Sequence, residues 1–263
     1  MEEGGHPDFW LGRLITHRFL VGIRLIIRQP ALGETSMARI LVVVAHRDDE
    51  TIGAGGLIAR HADAGDEVLA LSMTDGTTAR GSSPDPIQIR SRLEASVNAA
   101  SILGFNWLPE GNFPDNQMDV VPLLEVVRFI ESAKSDFQPE KVITHFPFDL
   151  NIDHAVTARA VFTAFRSEPL EQCREILSME VASSTDFAAA LGGTPFVPDT
   201  YVDVSDVYAR KRDALGAYKE EIRPYPHTRS AKGIELQAQK RGAEVGLAFA
   251  EAFRTHRRIL GHQ

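Results

Sequence analysis

The feature that most constrains the fold is an apolar run that ends in a cluster of charged side chains. The stretch RILVVVA, residues 39–45, is rich in β-branched residues. A short continuous run of this kind is typical of a parallel strand that is buried on both faces. Three carboxylates packed together at the end of such a strand repel one another and are costly to bury, so they indicate a bound cation. The cluster, which we call the acidic turn, consists of His46, Arg47, Asp48, Asp49 and Glu50.

Strand-like and helix-like segments alternate after this run. The patterns predict strands at 67–74, near 106, at 141–146, 175–181 and 200–205, and helices at 53–64, 87–103, 122–135 and 154–165, with mostly helical structure from 206 onwards. Gly65 is the expected residue just after the first helix. This order predicts an α/β fold with a doubly wound, mostly parallel sheet flanked by helices in a single domain.

Two polar segments follow predicted strands and are expected to meet. One is the acidic turn, and the other is PFDLNIDH, residues 147–154. In a doubly wound sheet, loops at the carboxyl ends of the strands form the ligand-binding crevice. His46, Asp49 and His154 together form a ligand set that suits zinc, which takes histidine nitrogen and carboxylate oxygen. Asp48 would then lie beside the ion and be free to take the proton of the attacking water.

Composition limits the classes of partner. The 263 residues carry a formal net charge of -8, which disfavours nucleic acid and fits a small neutral substrate better. Cys173 is the only cysteine, so an intrachain disulfide framework and a cysteine-rich zinc site are excluded. This cysteine usage is compatible with the cytoplasm, and we expect a cytoplasmic location.

Residues 1–36 differ from the remainder, residues 37–263. They are apolar but interrupted by arginines, and the longest apolar run is too short to cross a membrane. An amphipathic helix that packs on the domain is the favoured interpretation. Membrane-surface contact through residues 10–29 is the weaker one. A third hypothesis is that translation starts at Met37.

These motifs resemble a known family. AHRDDETIGAGG and FDLNIDH are similar to the paired motifs of the LmbE-like, or PIG-L, metal-dependent N-deacetylases, whose usual forms are A-H-P-D-D-E and H-x-D-H. RPYPHTRS, residues 223–230, is similar to a further element of some members. The resemblance implies a Rossmann-like fold and hydrolysis of the N-acetyl group of an amino sugar. It also implies one Zn²⁺ at His46, Asp49 and His154, with Asp48 as general base.

The sequence departs from the family motifs at two positions. Arg47 replaces the usual proline, and we expect it to point outwards or to pair with Glu50. Asn151 replaces a histidine that helps to polarise the amide carbonyl, and an amide cannot serve as a general acid. His227, from its own chain or from a neighbouring subunit, is the candidate to polarise the carbonyl in its place. His145 is either a reserve acid or a packed structural residue.

The remaining candidates have supporting roles. Glu50 is expected to be structural, and Asp153 either caps the following helix or orients a ligand or the base. The candidate substrate contacts are Arg80, Arg92, Arg223 and Arg229. The glycines of GAGG lack the spacing of a dinucleotide-binding turn.

Four functions remain open from sequence. The leading one is a zinc hydrolase that removes acetate from an N-acetylated amino sugar or its conjugate. The second is an amidase that acts on a thiol-sugar conjugate, and the third is a sugar-binding homologue that has lost catalysis. A magnesium phosphohydrolase is the weakest hypothesis, because Mg²⁺ prefers oxygen ligands and the predicted ligand set contains two histidines. Oligomeric state is left open, with a homo-oligomer among the alternatives.

Overall fold

A seven-stranded sheet forms the centre of the protein. The structure is a computed structural model that describes residues 37–76 and 86–261. The strands are β1 (Arg39–Val44), β2 (Glu67–Ser72), β3 (Asn106–Trp107), β4 (Lys141–His145), β5 (Glu175–Met179), β6 (Thr200–Asp203) and β7 (Ala250–Arg258). Their spatial order is β3-β2-β1-β4-β5-β7-β6. β1 to β5 run parallel, and only β7 is antiparallel to both of its neighbours.

Seven α-helices surround the sheet in the described part of the chain. They are α1 (Asp49–Asp63), α2 (Pro86–Leu103), α3 (Leu123–Phe137), α4 (Ile152–Ala164), α5 (Thr185–Ala188), α6 (Tyr208–Leu215) and α7 (Ala231–Ala243). The predicted fold class, a mostly parallel doubly wound sheet in a single α/β domain, is confirmed. Within residues 37–76 and 86–261, no helix combines the length and the apolar character needed to cross a membrane.

β1 is buried on both faces, as its continuous apolar sequence predicts. Ile40, Val42 and Val44 belong to the core on the side of α1, α2 and α6. Leu41 and Val43 belong to the core on the side of α3 and α4. Because β1 is central in the sheet, the residues that follow it emerge between the two helical layers. The acidic turn therefore lies at the switch point where α/β folds bind ligands.

Helix α1 begins earlier than the sequence pattern predicted. Its first residue is Asp49 rather than Gly53, so two residues of the acidic turn form its first turn. The glycines lie inside the helix, where they allow close packing. A Cβ atom on Gly56 would lie 2.5 Å from Cγ1 of Val204, and one on Gly53 would lie 2.6 Å from Sδ of Met179. The lack of side chains at these glycines therefore allows α1 to pack closely against the sheet.

A buried ion pair fixes α1 against β7 and α6. Nζ of Lys211 lies 2.6 Å from Oε1 of Glu251, and both side chains are 3% exposed. Lys211 also donates to the carbonyl of Ile52 at 2.8 Å. Glu251 accepts from the backbone N–H groups of Gly56 and Leu57 at 2.7 and 2.8 Å. The pair thus bonds to the backbone of the helix that carries Asp49.

Two further features of local structure differ from what the sequence pattern indicated. Residues 250–258 form β7, although the chain from 206 was expected to be mostly helical. Their alternation of exposed and half-buried residues near the end of the strand is that of a sheet with one face towards solvent. The N-cap of α4 is Asn151, whose side chain accepts the Asp153 N–H at 2.9 Å. Asp153 is therefore not the cap.

Candidate active site

The acidic turn is buried at the carboxyl end of β1. Asp48 is 2% exposed, and Asp49 and Glu50 are fully buried. Glu50 stabilises the turn, because its carboxylate accepts the backbone N–H of Asp48 at 3.0 Å and the hydroxyl groups of Thr51 and Tyr218 at 2.6 and 2.8 Å. Burial raises the pKa of Glu50 to about 7.

His46, Asp49 and His154 come together, as the topology predicts. Oδ2 of Asp49 lies 3.2 Å from Nδ1 of His46 and 3.3 Å from Nε2 of His154. Oδ1 of Asp49 and Nε2 of His154 are buried and make no hydrogen bond within the described residues. A divalent ion would satisfy both atoms, since burying an unpaired polar atom is otherwise costly. The donor set is one that could hold a metal ion.

Carboxylates orient the outer nitrogen of each histidine ligand. Nδ1 of His154 lies 2.8 Å from Asp149. Nε2 of His46 lies 3.1 Å from Asp115 and 3.2 Å from Asp153. A carboxylate that accepts the outer N–H fixes the tautomer and turns the other nitrogen towards a metal. The residues present therefore fit a divalent ion.

Asp115 and Asp149 were missed from sequence. Asp149 stands in the second motif, and its spacing to His154 was the available signal. Asp115 lies in the loop after β3, with no local pattern that distinguishes it. Asp153 accepts the backbone N–H groups of Asn116 and Met118 at 2.6 and 3.0 Å, and in this way it ties that loop to α4.

The metal-free cluster favours protonated histidines. Burial lowers the pKa of His154, but Asp49 and Asp149 outweigh burial and raise it to about 9. Burial also lowers the pKa of His46, while contacts with Asp115, Asp153 and Asp49 raise it well above its usual value. Protons on these rings balance the carboxylates when no ion is bound.

His145 is a packed residue of this cluster. Its ring is fully buried and stacks on His154 with centroids 3.8 Å apart. Nε2 accepts the backbone N–H of Ala45 at 2.8 Å. Burial lowers the pKa of His145 well below its usual value, so the ring is neutral. These contacts favour the structural alternative over the reserve acid.

A cavity of about 90 Å³ opens beside the predicted ligands. Its lining is mostly polar and charged and comes from five loops and helix α2. The lining residues are His46, Asp48, Gly76, Arg92, Asp115, Asn116, Asn151, Glu221 and Arg229. Burial raises the pKa of Asp48 to about 6, although the Arg229 guanidinium opposes the rise. A carboxylate in this range can accept a proton near neutral pH.

The two departures from the family motifs have different surroundings. Arg47 is 6% exposed, with Nε 2.8 Å from Glu110, Nη1 donating to Ser96 at 2.9 Å and the guanidinium over the ring of Trp107. The prediction that it points outwards or pairs with Glu50 is therefore wrong. Asn151 lines the cavity, but its Oδ1 accepts the Asp153 N–H and its Nδ2 donates to Asn116 at 3.0 Å.

The predicted arginine contacts divide into three groups. Arg92 and Arg229 line the cavity, and Arg92 is bound to the Gly76 carbonyl and to Glu221. Nη1 of Arg229 lies 3.3 Å from Oδ2 of Asp48. Arg223 is exposed and is not among the residues that line the cavity. Arg80 lies outside the described residues, as do residues 1–36.

The structure places His227 on the surface near the cavity. It is exposed, its Nδ1 accepts the backbone N–H of Arg229 at 3.1 Å, and its ring contacts Phe187 edge-on. His227 is not among the described residues that line the cavity. Its part in the reaction stays a prediction.

Comparison with known proteins agrees with this geometry. The family described as PIG-L, GlcNAc-PI de-N-acetylase, matches residues 41–165, which include all three predicted ligands. The chain contains a PIG-L family domain. Among curated proteins, this chain is 28% identical to a probable N-acetyl-alpha-D-glucosaminyl L-malate deacetylase 2 from Bacillus cereus over 69% of its own length and 83% of the relative.

Solved protein structures resemble this chain over a longer stretch than the PIG-L match at residues 41–165. A conserved protein from Thermus thermophilus is 25% identical, with a TM-score of 0.66 over 86% of this chain and 98% of the other. The 4-carboxy-2-hydroxymuconate hydratase GalB from Pseudomonas putida is 20% identical, with a TM-score of 0.68 over 86% of this chain and 99% of the other. The second likeness shows the fold alone. The reaction must therefore be argued from the site.

Proposed function

We propose that the protein is a zinc-dependent hydrolase that removes the N-acetyl group from an N-acetylated amino sugar of the N-acetylglucosamine type, or from its conjugate. The observation that carries the proposal is the pairing of a two-histidine, one-carboxylate donor set with a second buried carboxylate, Asp48, that faces the same cavity. The PIG-L match and the deacetylase relative support the same reaction.

His46, Asp49 and His154 would hold the ion. When bound, zinc supplies Lewis-acid chemistry, polarising the amide carbonyl and lowering the pKa of water. Asp48 accepts the proton of the attacking water as the new carbon–oxygen bond forms. The carbon–nitrogen bond then breaks, the amine leaves with a proton, and acetate and a free amino sugar are the products.

The leaving amine needs a proton donor, and Asn151 cannot supply one. Asp48 could return the proton that it has taken. His227 is the other proposed donor, because an imidazole ring can donate a proton to a leaving group and its loop adjoins Arg229 of the cavity. It would have to approach the cavity from its exposed position, within its own chain or from a neighbouring subunit. Self-association, contact with membranes and a cytoplasmic location also stay predictions.

Measuring acetate release from a panel of substrates tests the proposal. The zinc-loaded protein is offered N-acetylglucosamine, its glycosides, nucleotide-linked forms and a thiol conjugate, and acetate is measured enzymatically. We expect release from at least one N-acetylated sugar, together with one zinc per chain by elemental analysis. His154→Ala should lose metal and activity together, because a lost ligand leaves the ion weakly held.

Other outcomes favour the alternative functions. Cleavage of only the thiol conjugate would favour the amidase. Bound zinc and sugar binding without acetate release would favour a non-catalytic sugar-binding protein. Full zinc occupancy in His154→Ala would contradict the ligand assignment.

A further inference from the structure

Amide hydrolysis requires a group that stabilises the negative charge that develops on the carbonyl oxygen. Asn151 occupies the position where the PIG-L motif carries a histidine. Both polar ends of its side chain are engaged, one with the Asp153 N–H and the other with Asn116. One of the two hydrogens on its amide nitrogen is held by Asn116, and the other is a neutral donor, which binds a developing negative charge less strongly than a charged donor does. A charged side chain that lines the cavity would support the ion in stabilising that oxygen more strongly than Asn151 can.

Two arginines among the described residues line the cavity, and they differ in whether each terminal nitrogen has a partner. Arg92 directs its terminal nitrogens to the Gly76 carbonyl and to Glu221. Arg229 donates through Nε to the Ala182 carbonyl at 3.4 Å and through Nη1 to Asp48 at 3.3 Å. Its Nη2 makes no hydrogen bond within residues 37–76 and 86–261, and it lies 3.8 Å from the buried Oδ1 of Asp49.

The position of Arg229 Nη2 indicates which part of a substrate it would contact. Nη1 of Arg229 lies 3.3 Å from Oδ2 of the proposed base, Asp48, and Nη2 lies 3.8 Å from Oδ1 of the proposed metal ligand, Asp49. Oδ1 of Asp49 is buried and has no hydrogen-bond partner in the part of the chain that the structure describes. A carbonyl attacked by water that Asp48 activates must lie close to both carboxylates. Nη2 is thus a charged donor beside that position, and it has no hydrogen bond to the described residues.

We infer that Arg229 is a catalytic residue that donates a hydrogen bond from Nη2 to the carbonyl oxygen as it becomes an oxyanion. Its guanidinium is always charged and is held at the back by Ala182 and Asp48, so little reorganisation is needed when charge develops. As the carbon–nitrogen bond breaks, the electron pair returns to the carbonyl and the hydrogen bond weakens. Arg229 thereby supplies a charged donor, which Asn151 cannot. The inference rests on the proposed deacetylase function.

The distinguishing property of such a residue is selective binding of the transition state. A phosphonyl analogue of the N-acetyl group, N-methylphosphonyl glucosamine, carries a tetrahedral centre with anionic oxygens. N-acetylglucosamine carries a planar neutral amide. A donor aimed at the oxyanion strengthens binding of the first ligand more than that of the second.

The experiment measures both dissociation constants by calorimetry for zinc-loaded wild type, Arg229→Met and Arg229→Lys, with zinc content determined for each. For Arg229→Met we expect the affinity for the phosphonyl analogue and kcat each to fall about 100-fold, the usual loss of one oxyanion donor. Affinity for N-acetylglucosamine should change less than about threefold. Arg229→Lys keeps the positive charge but lacks the planar guanidinium group with its several N–H donors. Its affinity for the phosphonyl analogue and its kcat should lie between those of wild type and Arg229→Met.

Two matched variants separate this role from general effects on the cavity. Arg92→Met removes the other cavity cation and should weaken both ligands by the same factor. His227→Ala removes the proposed proton donor and should leave the ratio of the two affinities unchanged. A parallel loss of both affinities in Arg229→Met and Arg229→Lys, or no loss in either, would overturn the assignment. A wild-type protein that releases no acetate from any N-acetylated sugar would instead overturn the proposed function, and with it this inference.

Discussion

Zinc binding should release about two protons from the protein at neutral pH. Without the ion, the carboxylates around His154 raise its pKa to about 9, and those around His46 raise its pKa well above the usual value. Both rings therefore carry an extra proton at pH 7. Each must lose it, because only a neutral imidazole offers a lone pair to the metal. Since both pKa values are raised, zinc affinity should increase as the pH rises towards about 9, where the His154 ring loses its extra proton even without zinc.

Calorimetry gives the number of released protons directly. The metal-free protein is titrated with zinc at pH 7 in buffers of different ionisation enthalpy, and the slope of observed heat against that enthalpy is the proton count. Asp149→Asn is the matched control, because it keeps a hydrogen-bond acceptor for Nδ1 of His154 but removes one charge that raises its pKa. The number of protons that Asp149→Asn releases on binding zinc should fall towards one. A slope near zero for wild type would refute the argument.

Three further predictions concern chemistry and stability. Asp48→Asn should keep zinc and lower kcat by about two to four orders of magnitude, the usual contribution of a general base, and unchanged turnover would mean that another group activates the water. His227→Ala should keep zinc and lower turnover by about two to three orders of magnitude, with a smaller loss when the leaving amine is less basic; near-normal turnover with every substrate would remove it from the mechanism. Glu251→Gln should lower the free energy of unfolding by about 3–5 kcal/mol in urea titrations, because it leaves the Lys211 ammonium buried beside a neutral partner. The exposed Lys240→Met should cost less than about 1 kcal/mol, and equal losses in the two variants would contradict this account.

The sequence was most informative where local pattern and chemistry coincide. RILVVVA predicted the buried central strand because a strand covered on both faces needs apolar residues at every position. Parallel strands place their carboxyl ends at one edge of the sheet. The meeting of His46 and Asp49 with His154 could therefore be expected before any coordinates were available.

The remaining features depend on tertiary structure. β7, AEAFRTHRR, combines residues of good helix propensity with one solvated face, and its pairing with β5 and β6 decides its conformation. Asp115 becomes part of the site only because its loop folds over His46. Arg47 was expected to avoid the interior, but Glu110 and Trp107 lie on another strand and loop, so the sequence near Arg47 gave no sign of them. Long-range contacts of this kind have no local periodicity.

The buried Arg47 changes how the acidic turn is kept stiff. A proline at this position would restrict the backbone through its own ring. Here the restraint comes from side-chain contacts with α2 and with the segment that follows the edge strand β3. The stiffness of the acidic turn therefore also depends on the most peripheral strand of the sheet, which has only two residues. If β3 frays, the acidic turn should become less rigid. Protection of the amides of residues 106–111 from hydrogen exchange and the affinity for the metal should therefore increase or decrease together.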